Sequence, residues 1–189
     1  MESKKSSLAK GADLDGETFA DFLERLRHDC VGSGVNDHCT ADAIFIVQRK
    51  RYIYGIDIDY CERVCAILEE SHWEDPDKFY KDHIEYSISS NLDTYAQDLT
   101  GCNFIGLDEA DKWDAIREVE NVIVTGMDER WEYVNSHFTK DAAEAFIQRK
   151  KHDYPEGLQV YVNAQSHCWE WNMIKEAMIS GKLKLVDLP

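Results

Sequence analysis

Proline and glycine are scarce in this chain, with three and ten among 189 residues, which leaves no room for a long flexible or polyproline linker. Long apolar runs are also missing. The longest blocks are short, such as Ala43-Ile44-Phe45-Ile46-Val47, and none reaches the roughly 20 residues of a membrane span. No apolar stretch backs the lysines of Met1-Glu2-Ser3-Lys4-Lys5-Ser6-Ser7, so the sequence predicts no secretory leader. The six cysteines, at 30, 39, 61, 65, 102 and 168, lack paired Cys-x-x-Cys spacing and are expected to be reduced thiols. Basic residues are outnumbered, 21 against 37 acidic, for a net charge of −16. A chain of that sign is repelled by free nucleic acid and by anionic lipid.

What is present is a real core. Hydrophobic residues make up 43% and aromatics 11%, enough to exclude wholesale disorder. The length predicts one domain: a polar arm at 1–12, then an α+β domain over 13–189, with 131–189 as a possible subdomain.

The charge is unevenly spread. Residues 52–139 carry 21 acidic and 6 basic groups, a net of −15, while 1–51 nets −1 and 140–189 nets zero. The acids come in clusters: Glu69-Glu70, Glu74-Asp75 with Asp77, Asp108-Glu109 with Asp111, and Asp128-Glu129. Aromatics stand among them, at Trp73, Phe79, Tyr80, Tyr86, Tyr95, Phe104 and Trp113.

Periodicity predicts the elements. Phe19, Phe22, Leu23 and Leu26 share one helical face. Val31 to Asp37 is expected as a loop, and Ile44–Val47 with Tyr52–Tyr54 as a hairpin whose tip is Gln48-Arg49-Lys50-Arg51. Cys61, Val64, Cys65 and Leu68 fit a short helix after Asp57. Asp75-Pro76 is a helix start, with an apolar stripe through Phe79, Tyr80 and Ile84. Val122-Ile123-Val124 is expected as a strand ended by Gly126, followed by a second strand from Trp131 to Phe138. Thr139 then caps a helix to Lys150 that turns Ala142, Ala143, Phe146 and Ile147 inward. Leu158–Val162 forms a strand, and Trp169–Ser180 a helix that buries Trp169, Met173, Ile174, Ala177 and Met178 and stops at Gly181. The fold expected is α+β: an N-terminal helix and hairpin, a mostly helical acidic middle, and a C-terminal β-α-β-α module.

No catalytic signature emerges. His28, Cys30, His38, Cys39 and His167-Cys168 lack zinc-ligand spacing, and buried thiols with surface histidines explain them. His-Cys neighbours in sequence are not a nucleophile with its base. Asp57 and Asp59 face one side of an extended chain and could hold Mg²⁺, yet one such pair arises by chance in so acidic a stretch. Gly32-Ser33-Gly34 has no following lysine and is a turn, not a phosphate loop. No metal, cofactor or catalytic residue is assigned.

The segments Trp131–Val134, Phe138-Thr139, Ala142–Ile147, Val160–Val162 and Trp169–Asn172, with Ala43–Asp57 upstream, resemble a module of small phage- and prophage-encoded accessory proteins. That resemblance implies the cytoplasm of a bacterial host. By analogy with acidic phage inhibitors of host defence, it also implies an anti-CRISPR-like protein that mimics nucleic acid. Duplex DNA presents about one charge per 1.7 Å of axis, so a mimic needs many carboxylates held on a rigid body. The expected partner is the basic groove of a nucleic-acid-binding complex, not nucleic acid or membrane. The contact residues expected are Glu69, Glu70, Glu74, Asp75, Asp77, Asp108, Glu109 and Asp111, with Trp73 and Trp113 as anchors. Two other classes remain open: an interaction module whose acidity serves only solubility, and a metal-dependent enzyme.

Overall fold

A computed structural model describes residues 7–84 and 87–186. The fold is α+β. Five strands, β1 (Ala43–Ile56), β2 (Arg63–Leu68), β3 (Ser71–Trp73), β4 (Ile123–His137) and β5 (Leu158–Ala164), form one sheet in the order β3-β2-β4-β1-β5. The pairs β1–β5, β2–β3 and β2–β4 are antiparallel. The helices are α1 (Gly16–Val31), α2 (Val35–His38), α3 (Pro76–Asp82), α4 (Ser87–Thr100), α5 (Glu109–Arg117), α6 (Lys140–Lys150) and α7 (Trp169–Ile179). No helix among the described residues is long and apolar enough to cross a membrane.

The chain forms two compact units. One joins residues 1–51 to residues 131–189; the other is the contiguous stretch Tyr52–Arg130. β1 and β4 each begin in one unit and end in the other.

In the discontinuous unit, α6 covers one face of β1 and β5. Ala43, Phe45, Val47 and Ala143 are buried there, with Val134, Phe146, Ile147, Leu158, Val160 and Val162 against them. Side chains alternate across the strands, so Phe45 and Val47 sit beside Val162 and Val160 in the register. α1 starts with a reciprocal cap: Asp15 accepts from the Thr18 amide at 2.7 Å, and the Thr18 hydroxyl accepts from the Asp15 amide at 2.9 Å. The described part of the expected N-terminal arm is not loose. Leu8–Lys10 form a 3-10 turn, and Arg149 on α6 donates to the Ala9 carbonyl at 3.1 Å.

Several sequence expectations fail for physical reasons. The expected hairpin at Gln48–Arg51 is the middle of one continuous strand, β1. Two of its three cationic side chains are held sideways, since Arg49 and Arg51 donate to Glu132 on β4 at 2.7 and 3.1 Å. Those bonds, Arg49's foremost, hold the Glu132 carboxyl below its usual range. The expected helix at 61–68 is β2. Its apolar residues fit either period, and pairing with β4 decides; Cys65 and Ala66, on opposite faces, are both buried, as in a strand covered on two sides.

Gly126 does not end a strand, and the two strands expected at 122–125 and 131–138 are one. A side chain at 126 would meet the Ile56 carbonyl at 2.7 Å and also the Cys61 sulfur, so glycine there permits close backbone approach. The expected loop at 31–37 ends in the short helix α2. Thr139 precedes α6 without capping it by its side chain: Asp29 on α1 accepts from the Lys140 amide at 2.9 Å, and the Thr139 hydroxyl accepts from Arg25 at 3.0 Å. In α7 the expected burial of Trp169, Met173 and Ile174 is reversed; they are 76%, 66% and 50% exposed. α7 instead docks through Lys175, which donates to Asp42 at 2.6 Å and to the Ala41 carbonyl at 2.8 Å, and through Trp171, stacked on Phe138 at 4.6 Å.

Candidate acidic interface

Tyr52–Arg130 has its own core. Ala66, Phe79, Leu92, Ala96, Phe104 and Ile116 are its most buried members. Phe79 meets Trp73 edge-on at 5.2 Å, and Tyr80 stacks on Phe104 at 5.1 Å. The Tyr80 hydroxyl donates to Asp93 at 2.8 Å, a bond that raises the phenol's pKa, and Asp93 also accepts from the Phe104 amide at 3.0 Å.

The sequence of this unit carries 20 acidic and 6 basic residues, a net of −14 out of the chain's −16. Of the 19 acids described, 14 are exposed and none is buried. The charge asymmetry of the sequence is therefore the asymmetry of one compact body.

The acids divide by what they hold. Asp75 caps α3, accepting from the amides of Asp77 and Lys78 at 2.8 and 3.3 Å. Asp108 caps α5, accepting from the Asp111 amide at 2.9 Å. Asp77 pairs with the nearly buried Lys112 at 2.8 Å. Glu74 is bonded to Arg63, which also reaches Glu129 at 3.1 Å; Glu74, then Glu129, hold the guanidinium above its usual pKa. These four expected contact residues serve the fold first.

The two expected anchors do so as well. Trp113 is 7% exposed, most of its ring packed in the core and the remainder lining the cleft described below. Trp73 packs on Phe79 and His83 and donates its indole N–H to Asp82 at 2.8 Å. Tyr86 lies outside the described residues.

Glu69, Glu70, Glu109 and Asp111 remain, and among the described residues their side chains make no ion pair or hydrogen bond. Asp59, Glu62, Asp98, Glu118 and Glu120 are in the same condition; none is among the expected contacts, because Glu62, Asp98, Glu118 and Glu120 stand apart from the acidic clusters and the spacing of Asp59 from Asp57 points to a cation instead. Glu69 and Glu70 form the turn between β2 and β3, where Leu68 pairs with Ser71. Glu62, Glu74, Glu109 and Asp114 line one open cleft of about 560 Å³, together with Arg63 and Arg117. Arg117 is paired with Asp114 at 2.7 Å and Arg63 with Glu74, so Glu62 and Glu109 supply the cleft's uncompensated charge. The structure thus brings Glu74 and Glu109 together and places Glu69 and Glu70 at a separate turn.

Among the described residues no three His, Cys, Asp or Glu side chains converge as metal ligands. Asp57 is a turn cap, accepting from the Asp59 amide at 3.1 Å. Cys30 and Cys65 are buried thiols pushed up to about 11, chiefly by desolvation. Comparison with protein-family models, with curated proteins and with solved structures gives no match to this chain.

Proposed function

We propose that this protein is a non-catalytic inhibitor that binds the cationic groove of a nucleic-acid-binding complex and displaces the polynucleotide. The proposed class of target, a CRISPR-type host defence complex in a bacterial cytoplasm, comes from the resemblance to phage accessory proteins. The observation that carries the reading is the concentration of −14 net charge on one contiguous folded unit in which none of the described acids is buried. Caps and ion pairs fix part of that charge in place. A rigid polyanion competes with nucleic acid because both release counterions from the same lysines and arginines. Charge held in place steers association and makes affinity fall with salt.

The test is capture of a partner from bacterial lysate at low salt, followed by elution with duplex DNA. Wild-type protein is expected to lose its partner to DNA and to rising salt. The variant Glu69→Lys/Glu70→Lys/Glu109→Lys/Asp111→Lys is expected to bind at least about tenfold more weakly, since rim charges contribute modestly one by one and add when they share a field. Among the described residues these four side chains hold no cap or ion pair, so the variant should stay folded. A captured partner that ignores DNA, salt and charge reversal sinks the proposal and favours an interaction module.

A further inference from the structure

The sheet has two edges, and their chemistry differs. The β3 edge is three residues long and is followed and preceded by Glu74 and Glu69-Glu70. Shortness and charge are what keep an edge from pairing with another chain. The β5 edge is seven residues, Leu158-Gln159-Val160-Tyr161-Val162-Asn163-Ala164, with no charge, no proline and no glycine. By the same rule it is unprotected.

The free backbone groups of that edge can be assigned. Lys50 donates its amide to the Gly157 carbonyl at 3.0 Å, and Gln165 donates to the Asp42 carbonyl at 2.7 Å. These two contacts bracket the β1–β5 ladder and fix its phase. In an antiparallel pair, hydrogen-bonded and non-bonded positions alternate. Gln159, Tyr161 and Asn163 therefore bond to β1 opposite Gln48, Ile46 and Ile44. Leu158, Val160, Val162 and Ala164 turn their N–H and C=O groups outward, and among the described residues no backbone hydrogen bond to them from outside the ladder is recorded.

The strand is nearly a palindrome about Tyr161. A second copy running antiparallel across a two-fold axis at Tyr161 would set Val160 against Val162, Gln159 against Asn163, and Leu158 against Ala164. Apolar meets apolar, and amide meets amide. Each outward N–H then faces an outward C=O, because 160 pairs with 162 and 158 with 164. Tyr161, 51% exposed, meets its own copy at a non-hydrogen-bonded position, where side chains approach most closely. This symmetry selects a second copy over an arbitrary strand.

Charge points the same way. The unit holding β5 carries 15 basic and 17 acidic residues, a net of −2, so the unit that would meet its copy adds little like-charge repulsion of its own. The same unit exposes Trp169 and Met173 on α7, which begins five residues after β5 ends.

We propose that the protein is a homodimer joined by antiparallel β5–β5 pairing centred on Tyr161. This inference stands apart from the acidic-interface reading and is tested without any partner. Sedimentation of the full chain is expected to show a dimer at micromolar concentration. Tyr161→Lys is expected to weaken dimerisation about tenfold or more, because it removes an aromatic pair and sets like charges face to face. A folding readout by circular dichroism should be unchanged, since Tyr161 is half exposed.

Register is tested by cross-linking. In a Cys39→Ser/Cys168→Ser background, Tyr161→Cys is expected to oxidise to a covalent dimer, because non-bonded antiparallel positions bring Cα atoms to about 4.5 Å, within disulfide range. Asn163→Cys, which would face Gln159 of the second copy, should not cross-link. A monomer at about 100 μM, a dimer indifferent to Tyr161→Lys, or cross-linking at 163 instead of 161 would each overturn the proposal.

Discussion

The discontinuous unit and the contiguous one are stabilised by different means. In Tyr52–Arg130, ten residues are buried in one apolar cluster, and the polar contacts are mostly local: Asp75, Asn103 and Asp108 each cap the turn that follows it. In the unit formed by residues 1–51 and 131–189, the sheet-side cluster has four buried members, and buried polar bonds join distant parts of the chain. Asp29 caps α6 across 111 residues, Arg25 reaches Thr139 across 114, and Lys175 reaches Asp42 across 133. A contiguous segment closes its loops cheaply and can rely on apolar burial. A unit interrupted by 79 residues has more loop entropy to overcome and gains from directional contacts that fix register. The same division separates charge: the contiguous unit carries the acids, and the other is nearly neutral.

The largest expected effect tests whether the two cores are separate. Phe79→Ala removes a fully buried ring from the contiguous unit and Phe45→Ala one from the other. Each is expected to cost about 3–5 kcal/mol. With fluorine-labelled tryptophans, Phe79→Ala should perturb Trp73 and Trp113 most, and Phe45→Ala should perturb Trp131 and Trp171. Equal loss of all signals with either variant would break the comparison.

Next comes the latch at Lys175. Its side chain is 5% exposed beside Asp42, which is 31% exposed. Asp42→Ala leaves the ammonium with only the Ala41 carbonyl, and because Asp42 is partly solvated the expected loss is about 2 kcal/mol, below the range for a fully buried pair. Adding Lys175→Met should recover most of it, as measured by urea denaturation. Failure to recover would mean that the bond to Ala41 matters more than the charge.

How much of this was legible in the sequence depended on the range of the interaction. Asp75-Pro76 announced α3 because a cap and its helix are adjacent. The helix α1 followed from the spacing of Phe19, Phe22, Leu23 and Leu26. β2 was not legible, because Cys61, Val64, Cys65 and Leu68 satisfy both a helical stripe and a buried strand, and only pairing with β4 separates them. The sequence predicts a hairpin in β1 because three consecutive cations resemble a solvated tip; the carboxylate that pairs two of them, Glu132 with Arg49 and Arg51, is more than 80 residues away. The acidic unit was visible as composition. Which acids were free was not, since capping by Asp108 or pairing of Asp77 with Lys112 depends on structure.

An effect of similar size, confined to alkaline pH and shared between the units, concerns the thiols. Cys30 is buried in one unit and Cys65 in the other, both pushed up to about 11 from 9.0 by burial. The unfolded chain releases these protons first, so the stability they contribute is complete below pH 9 and is lost as pH rises toward 11. The loss should reach on the order of 2–3 kcal/mol per thiol. Cys30→Ala and Cys65→Ala should each flatten the alkaline limb of the stability curve by about half. At pH 8, exposed Cys39 and Cys168 should react with a thiol reagent well before either buried one. An alkaline limb unchanged in both variants would assign it to other groups, such as Tyr80.

The smallest effect is the most discriminating for the acidic surface. Glu69 opens the β2–β3 turn with φ of +55°, a left-handed conformation that glycine adopts without a Cβ penalty. Glu69→Gly is therefore expected to stabilise the hairpin by about 0.5–1 kcal/mol, read as a small rise in Tm. Were that side chain mere solvated surface, binding to a cationic partner would be unaffected. If the charge at this turn contributes to binding, affinity should fall while stability rises, and Glu69→Gln should reproduce the loss in affinity without the gain in stability. A glycine variant that is both more stable and equally well bound would remove Glu69 from the interface and leave the cleft acids Glu62 and Glu109 to account for it.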